Sequence, residues 1–207
     1  PVMPDMPLKT TVKELTLIAL PIAIGGLIVP FSQFIDSILI VNLLKSGGFS
    51  TKAATAAYGL CSGTVMSLIN MPIVLTLSLA VVIVPIVSAN RVNRNLEGII
   101  QKSATSIKLS YVIGLPASLL MFIYARPLLL LLYPRLAVGE TELAVGLLRI
   151  TAFSIIFQSQ MQIYTSLLQA LDKTYAPVKN LLVAVFFKTV ISVLLLKSIG
   201  INGAAVG

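Results

Sequence analysis

Two side chains stand out for the chemistry they carry into apolar surroundings. Lys188 lies in the run Val183–Val193 (VAVFFKTVISV), ten residues after Val178. At about 1.5 Å rise per residue that is roughly 15 Å along a helix, close to the middle of a bilayer. A charge at that depth costs at least about 2.5–3.5 kcal/mol on insertion scales, so such a residue faces a partner or a water-filled path. Snorkelling is the plain alternative, but a side chain at the midplane reaches neither interface easily. Asp36 is the one acid deep in an apolar run, with Gln33 one turn before it and Ser37 directly after. That polar face can line a cavity, or it can lock two helices together through an ion pair.

Arg149 is the second basic residue within an apolar run, one to two turns inside a helix end. Its guanidinium can snorkel outward or offer a bidentate grip on an anion. At about 100° per residue Gln160 falls on the face of Arg149, while Gln158 and Gln162 fall roughly opposite. Such glutamines line cavities or join helices by hydrogen bonds. Asn70 precedes Pro72, with Ser67 one turn earlier, and allows the same two readings. Gly59 and Gly63 form a small-xxx-small pair, read here as close helix packing. Cys61 reads as a small packing residue.

The elements that position these residues follow from composition. Hydrophobic residues make up 57% of the 207-residue chain and charged residues 11%, with a mean hydropathy of +1.00. A soluble domain carries about 25% charged residues, so a water-facing surface cannot be covered. The net charge of +8 raises the question of nucleic acid. The basic residues, however, sit mostly in short breaks between apolar runs, with no aromatic-interleaved stripe, and that excludes the nucleic-acid reading. There is no histidine, no His/Cys cluster, no phosphate-cradling G-x-x-x-x-G-K and no pair of intramembrane acids at one-turn spacing. Glu140 and Glu142 read as a solvated loop pair. The expectation is therefore no enzyme, no metal site and no cofactor.

A spanning helix needs roughly 20 mostly apolar residues. Five stretches qualify: about 14–44, 53–89, 107–125, 143–171 and 178–196. The first two are longer than a bilayer requires and carry Pro21 and Pro30, then Pro72 and Pro85, so kinks are expected there. Residues 91–106 (RVNRNLEGIIQKSATS), with Leu96, Ile99 and Ile100 at helical spacing, read as an amphipathic helix on the membrane surface. Residues 127–133 (PLLLLLY) are too short to span and read as interfacial. The close, Gly200 to Gly207, reads as a turn opening into another helix, so the chain is read as part of a longer polytopic protein. Eight basic residues flank one side and five the other. That bias places the N-terminus and the 91–106 loop in the cytoplasm of a multi-pass cell-membrane protein.

Several motifs carry a resemblance. The first helix holds L-P-x-x-x-G followed by a polar face ending in aspartate (Leu20, Pro21, Gly25, Asp36). The second ends in Leu77–Pro85 (LSLAVVIVP), the fifth begins Pro177-Val-Lys-Asn180 with Lys188 later, and Gly200–Ala205 (GINGAA) closes the chain. In this order and spacing the chain resembles the oligosaccharide and lipid flippase branch of the multidrug/oligosaccharidyl-lipid/polysaccharide (MOP) superfamily. It is most like the stage V sporulation protein B and polysaccharide biosynthesis group. The resemblance implies an all-α membrane protein of about five kinked helices plus the start of another, the C-terminal bundle of a MATE-like two-bundle transporter. It further implies an alternating-access cavity shared with the remaining bundle of the same chain. The implied substrate is a lipid-linked anionic sugar, an undecaprenyl-pyrophosphate-linked oligosaccharide or peptidoglycan precursor, as cell-wall synthesis or sporulation requires.

The resemblance and the residues meet at Lys188, an ammonium able to neutralise a pyrophosphate at mid-membrane. Arg149 would add contacts nearer the outer side, and Asn70 and Gln158 would receive sugars. A cation-coupled multidrug antiporter of the same superfamily is the first alternative, with Asp36 exchanging a proton or sodium. Two basic intramembrane residues against one acid favour the anionic substrate. A non-transporting scaffold is the second alternative, and it requires Asp36, Arg149 and Lys188 all to be paired structurally.

Overall fold

The computed structural model describes residues 8–199. The Gly200–Gly207 stretch, expected to open another helix, lies outside them, as do the side chains of Lys9, Lys13, Pro21 and Lys197. Among the described residues the fold is helical throughout. Helix α1 is Leu8–Ser46 and α2 is Thr51–Gly59. A π-helical turn, Leu60–Val65, joins α2 to α3, Met66–Val92. Then come α4, Leu96–Ile123, α5, Ala125–Leu132, α6, Val138–Ala152, α7, Ser154–Ala170, and α8, Tyr175–Ile199.

Local chemistry sets the boundaries. Gly48 turns the chain after α1 with φ 95°, a conformation that glycine adopts without a Cβ clash. Ser50 then caps α2, its Oγ accepting from the Ala53 N–H at 3.2 Å. Asn95 caps α4, its Oδ1 accepting from the Gly98 N–H at 2.9 Å, while its own Nδ2 donates to Asn90 Oδ1 at 3.1 Å. Both caps satisfy a helix-start N–H that the helix itself leaves free.

By length and composition four helices among the described residues can cross a membrane: Ile22–Ser46, Thr51–Val92, Leu96–Ile123 and Tyr175–Leu194. The fourth expected span, 143–171, is instead two helices of 15 and 17 residues, α6 and α7, which meet at Phe153. The expected surface helix at 91–106 is also corrected. From Leu96 onward that stretch is the first three turns of α4, which runs on without a break to Ile123. Ile99 packs into the core while Leu96 and Ile100 stay exposed. The polar residues there decorate the end of a long helix and do not mark a separate one.

Charged pairs tie down the two ends of the bundle. Arg91 pairs with Asp172, joining the α3–α4 turn to the α7–α8 turn. At the other end Arg126 pairs with Glu142 at 2.9 Å, joining α5 to α6. Glu140 accepts from the Ala137 N–H at 3.2 Å. The acidic pair read as merely solvated therefore anchors the start of α6.

Between the ends, α3, α4 and α7 pack against one another. Leu68, Ile69, Leu129, Leu147, Leu148 and Ile155 are fully buried in one cluster. Ala80, Ile83, Val87, Ile163 and Leu167 form a second, between α3 and α7. Lipid is as apolar as leucine, so close van der Waals fit and small residues drive such packing. Gly59 and Gly63 do not supply it, since both are exposed and a Cβ on either would meet nothing within 4 Å. The close-packing stripe lies on α4, where Ser106, Ser110, Gly114 and Ser118 recur every fourth residue and are all buried. A Cβ on Gly114 would sit 3.5 Å from Ser159 Oγ and 3.6 Å from the Ile156 Cα.

Candidate functional site

Helices α1 and α8 form a pair of their own. Gly25 lies against Val178, where an added Cβ would stand 3.2 Å from Val178 Cγ2. Eleven residues further along α1 is Asp36, and ten further along α8 is Lys188; these two form an ion pair. Near-equal steps in the same direction mean that α1 and α8 run parallel. Helical rise then places Lys188 about 20 Å from the start of α8, within the span Tyr175–Leu194.

The pair is asymmetric. The Asp36 side chain is 9% exposed and that of Lys188 is 37% exposed. Asp36 Oδ2 holds the ammonium, whereas Oδ1 is buried without a hydrogen-bond partner among the described residues. Ser32, one turn earlier on the same face of α1, is also buried, and its Oγ likewise lacks a partner. From the second span, Tyr58 donates to the Gln33 carbonyl at 3.3 Å. A carboxylate set behind a cation in this way can hold the ammonium in place while leaving it open to approach.

The remaining candidates disperse. The Gln33 side chain is exposed, and Ser32 takes the place beside Asp36 that spacing gave to Gln33. Arg149 is exposed and makes no ion pair among the described residues. Gln160 is buried, so the face it was read to share with Arg149 does not exist, because the break at Phe153 resets the helical phase between α6 and α7. Gln158 is half-buried and donates to Ser154 Oγ at 2.9 Å, one turn back on its own helix. Gln162 is half-buried and Asn70 is exposed. Asp36 and Lys188 are thus the two site candidates that the fold brings into contact.

A second polar feature joins the core helices, and its serine partners, Ser110 and Ser159, went unread in the sequence. Gln160 Nε2 donates to Ser110 Oγ at 2.7 Å, and Thr76 Oγ1 donates to Ser159 Oγ at 3.2 Å. These bonds join α7 to α4 and to α3 within the core. Beside them a cleft of about 410 Å³ opens between α7 and α8, lined in part by Gln160, Tyr164, Thr165 and Asn180. The signal was available in the four-residue recurrence at 106, 110, 114 and 118, which puts small residues in one line along a helix.

Comparison with known proteins places these features in context. The family model described as Lipid II flippase MurJ matches residues 66–207. The chain is similar to stage V sporulation protein B of Bacillus subtilis (strain 168), 29% identical over 201 residues, covering 95% of this chain and 37% of that protein. It is also similar to the uncharacterized membrane protein YabM of the same organism, 28% identical over 197 residues, with 95% of this chain and 36% of that protein covered. Among solved structures it resembles a MOP superfamily transporter from Pyrococcus furiosus, whose binding pocket is described as having reverse polarity. The TM-score is 0.66 at 18% identity, over 91% of this chain and 39% of that one. An outward-facing multidrug resistance MATE family transporter of the MOP superfamily gives the same values, 0.66 and 18%, over 91% and 39%. At that identity the likeness is one of fold. The chain spans a little over a third of the length of the relatives it matches, 37% and 36%. The matched stretch runs from the start of α3 through the Lys188 helix and covers most of the sequence; the chain is a multi-pass membrane protein with the MOP transporter fold, and it belongs to the lipid II flippase MurJ family.

Proposed function

We propose that this chain forms one bundle of a flippase that moves a lipid-linked anionic sugar across the membrane by alternating access. The substrate class is undecaprenyl-pyrophosphate-linked oligosaccharide or peptidoglycan precursor. One observation carries the reading: an ammonium in the span, 37% exposed, backed by a carboxylate 9% exposed. A pyrophosphate crossing a low-dielectric core needs a counter-charge, and an ammonium within the span Tyr175–Leu194 can supply one. The prenyl tail stays in lipid while the head group passes Lys188. In this reading Arg149 meets the head group nearer the outer side, and Asn70 and Gln158 offer hydrogen bonds to the sugars. The basic-residue bias favours a cytoplasmic N-terminus and a cytoplasmic 91–106 stretch, the α3–α4 turn with the start of α4. The pairing of Arg91 with Asp172 supports one element of this, because it puts the α3–α4 and α7–α8 turns at the same end.

The alternatives fit less well. An antiporter that binds a cation at Asp36 must first remove the cation already there. A scaffold with every intramembrane charge paired does not account for Arg149. The test is translocation of a fluorescent prenyl-pyrophosphate sugar in inverted vesicles containing the full-length protein. Lys188→Ala is expected to lower the rate by about tenfold or more at equal expression. Full transport by that variant would refute the role given to Lys188, and Asp36→Asn abolishing export of an organic cation would favour the antiporter.

A further inference from the structure

The two partners of the intramembrane ion pair are not equivalent, and their inequality assigns them opposite effects on substrate. Lys188 is reachable: its side chain is 37% exposed, and its ammonium has three donors, of which the structure commits one to Asp36. Asp36 lies behind it, and among the described residues Lys188 is its ionic partner. The carboxylate is also poorly supported. Among the described residues its Oδ1 accepts no hydrogen bond, nor does the Ser32 hydroxyl one turn earlier make one. A well-built structural salt bridge has its spare lone pairs satisfied; this one has not.

We infer that Asp36 is the substrate's competitor for Lys188, a built-in anion that occupies the ammonium when the site is empty and yields it when a pyrophosphate arrives. The inference rests on the proposed function and goes beyond it by giving Asp36 a role with the opposite sign to that of Lys188. A pyrophosphate carries more than one negative charge and wins an exposed ammonium from a single carboxylate by simple Coulomb attraction. The exchange removes the one charged tie between α1 and α8 among the described residues, leaving their apolar contact at Gly25 and Val178. Asp36 then draws the ammonium back, so the substrate is released and not trapped. A bare lysine would hold the anion too tightly to let it go, and a lysine with a better-supported carboxylate would never bind it.

The test is equilibrium binding of undecaprenyl pyrophosphate to the full-length protein in nanodiscs, with undecaprenol, the same tail without the anion, as the reference ligand. Removing a competitor strengthens binding, so Asp36→Asn is expected to bind the pyrophosphate about tenfold more tightly than wild type. Lys188→Gln is expected to bind it about tenfold more weakly. The double variant should match Lys188→Gln, because Asp36 acts only through the ammonium. Undecaprenol should bind all four proteins alike, and turnover by Asp36→Asn should fall because release is slowed. Asp36→Ser serves the same arm if the asparagine variant does not fold. Weaker binding by both Asp36 variants, in parallel with Lys188→Gln, would overturn the inference and make Asp36 a positioning residue. Wild type that binds pyrophosphate no better than undecaprenol would overturn the proposed function itself, and the inference with it.

Discussion

The α3–α4–α7 core and the α1–α8 pair solve the problem of polarity in lipid in opposite ways. In the core the polar contacts across helices among the described residues are neutral: Thr76 with Ser159, Gln160 with Ser110, and Ser88 with the Ala170 carbonyl. These groups are small or fully buried, and they sit among side chains with no exposure at all, such as Ile155 and Ile163. The α1–α8 pair joins its helices by a charge and a glycine contact, and α8 is less buried than the second span. Neutral hydrogen bonds between packed helices have no ready competitor, so they fix a frame. An ion pair with one open side does have a competitor, namely any anion of higher charge, so it can be switched. The stable region and the responsive region are thus told apart by the kind of polar bond each uses.

Adding bulk breaks the two regions differently. Gly114→Leu should have the largest effect on folding, since a Cβ there already meets Ser159 and the Ile156 backbone at 3.5 and 3.6 Å. Three further carbons must push α4 off α7, at a cost of about 1–3 kcal/mol or more. The checks are folded yield in detergent and resistance to unfolding by SDS; normal values for both would mean that α4 and α7 are not the rigid frame. Gly25→Val presses on Val178, where an added Cβ stands 3.2 Å away. Helices α1 and α8 pack on each other outside the α3–α4–α7 core, so they can separate without unfolding it. Folded yield should stay within about twofold of wild type, while translocation drops severalfold as Asp36 is drawn from Lys188. Equal damage to yield and transport would erase the distinction between the regions.

How far the sequence alone could see follows the same division. Depth along a helix is a one-dimensional quantity, so counting residues was enough to single out Lys188 and Asp36 as intramembrane charges. That they touch each other depends on α1 and α8 running side by side, across 152 residues of chain, and no local pattern carries that. Gln33 lies three positions before Asp36 and Ser32 four, and both spacings fall near the Asp36 face, so spacing alone does not choose between them. The Arg149–Gln160 face failed because it extended one helical phase through Phe153, where α6 ends and α7 begins. Gly59 and Gly63 have the spacing of a packing motif without a helix to pack against among the described residues. The true stripe on α4 is made mostly of serines, which read as polar until their burial is known.

The smallest effect is expected at Gln160, and it is the sharpest check on the idea that neutral core bonds only frame the fold. Gln160→Leu removes one hydrogen bond to Ser110, and bonds of this kind between membrane helices average about 0.6 kcal/mol. Ser110 keeps its own bond, its Oγ donating to the Ile107 carbonyl at 2.8 Å, so no donor is stranded. The substitution also deletes Gln160 Oε1, a buried acceptor without a partner among the described residues, and relief of an unsatisfied buried acceptor is worth about 1 kcal/mol or more. The two terms oppose, so stability should move by less than about 1 kcal/mol, with the sign favouring the leucine. Translocation should be unchanged. Reversible unfolding in bicelles and the vesicle assay read the two quantities separately. If stability holds while transport falls, the amide that lines the α7–α8 cleft is meeting the substrate, and the boundary between frame and moving part must be redrawn along α7.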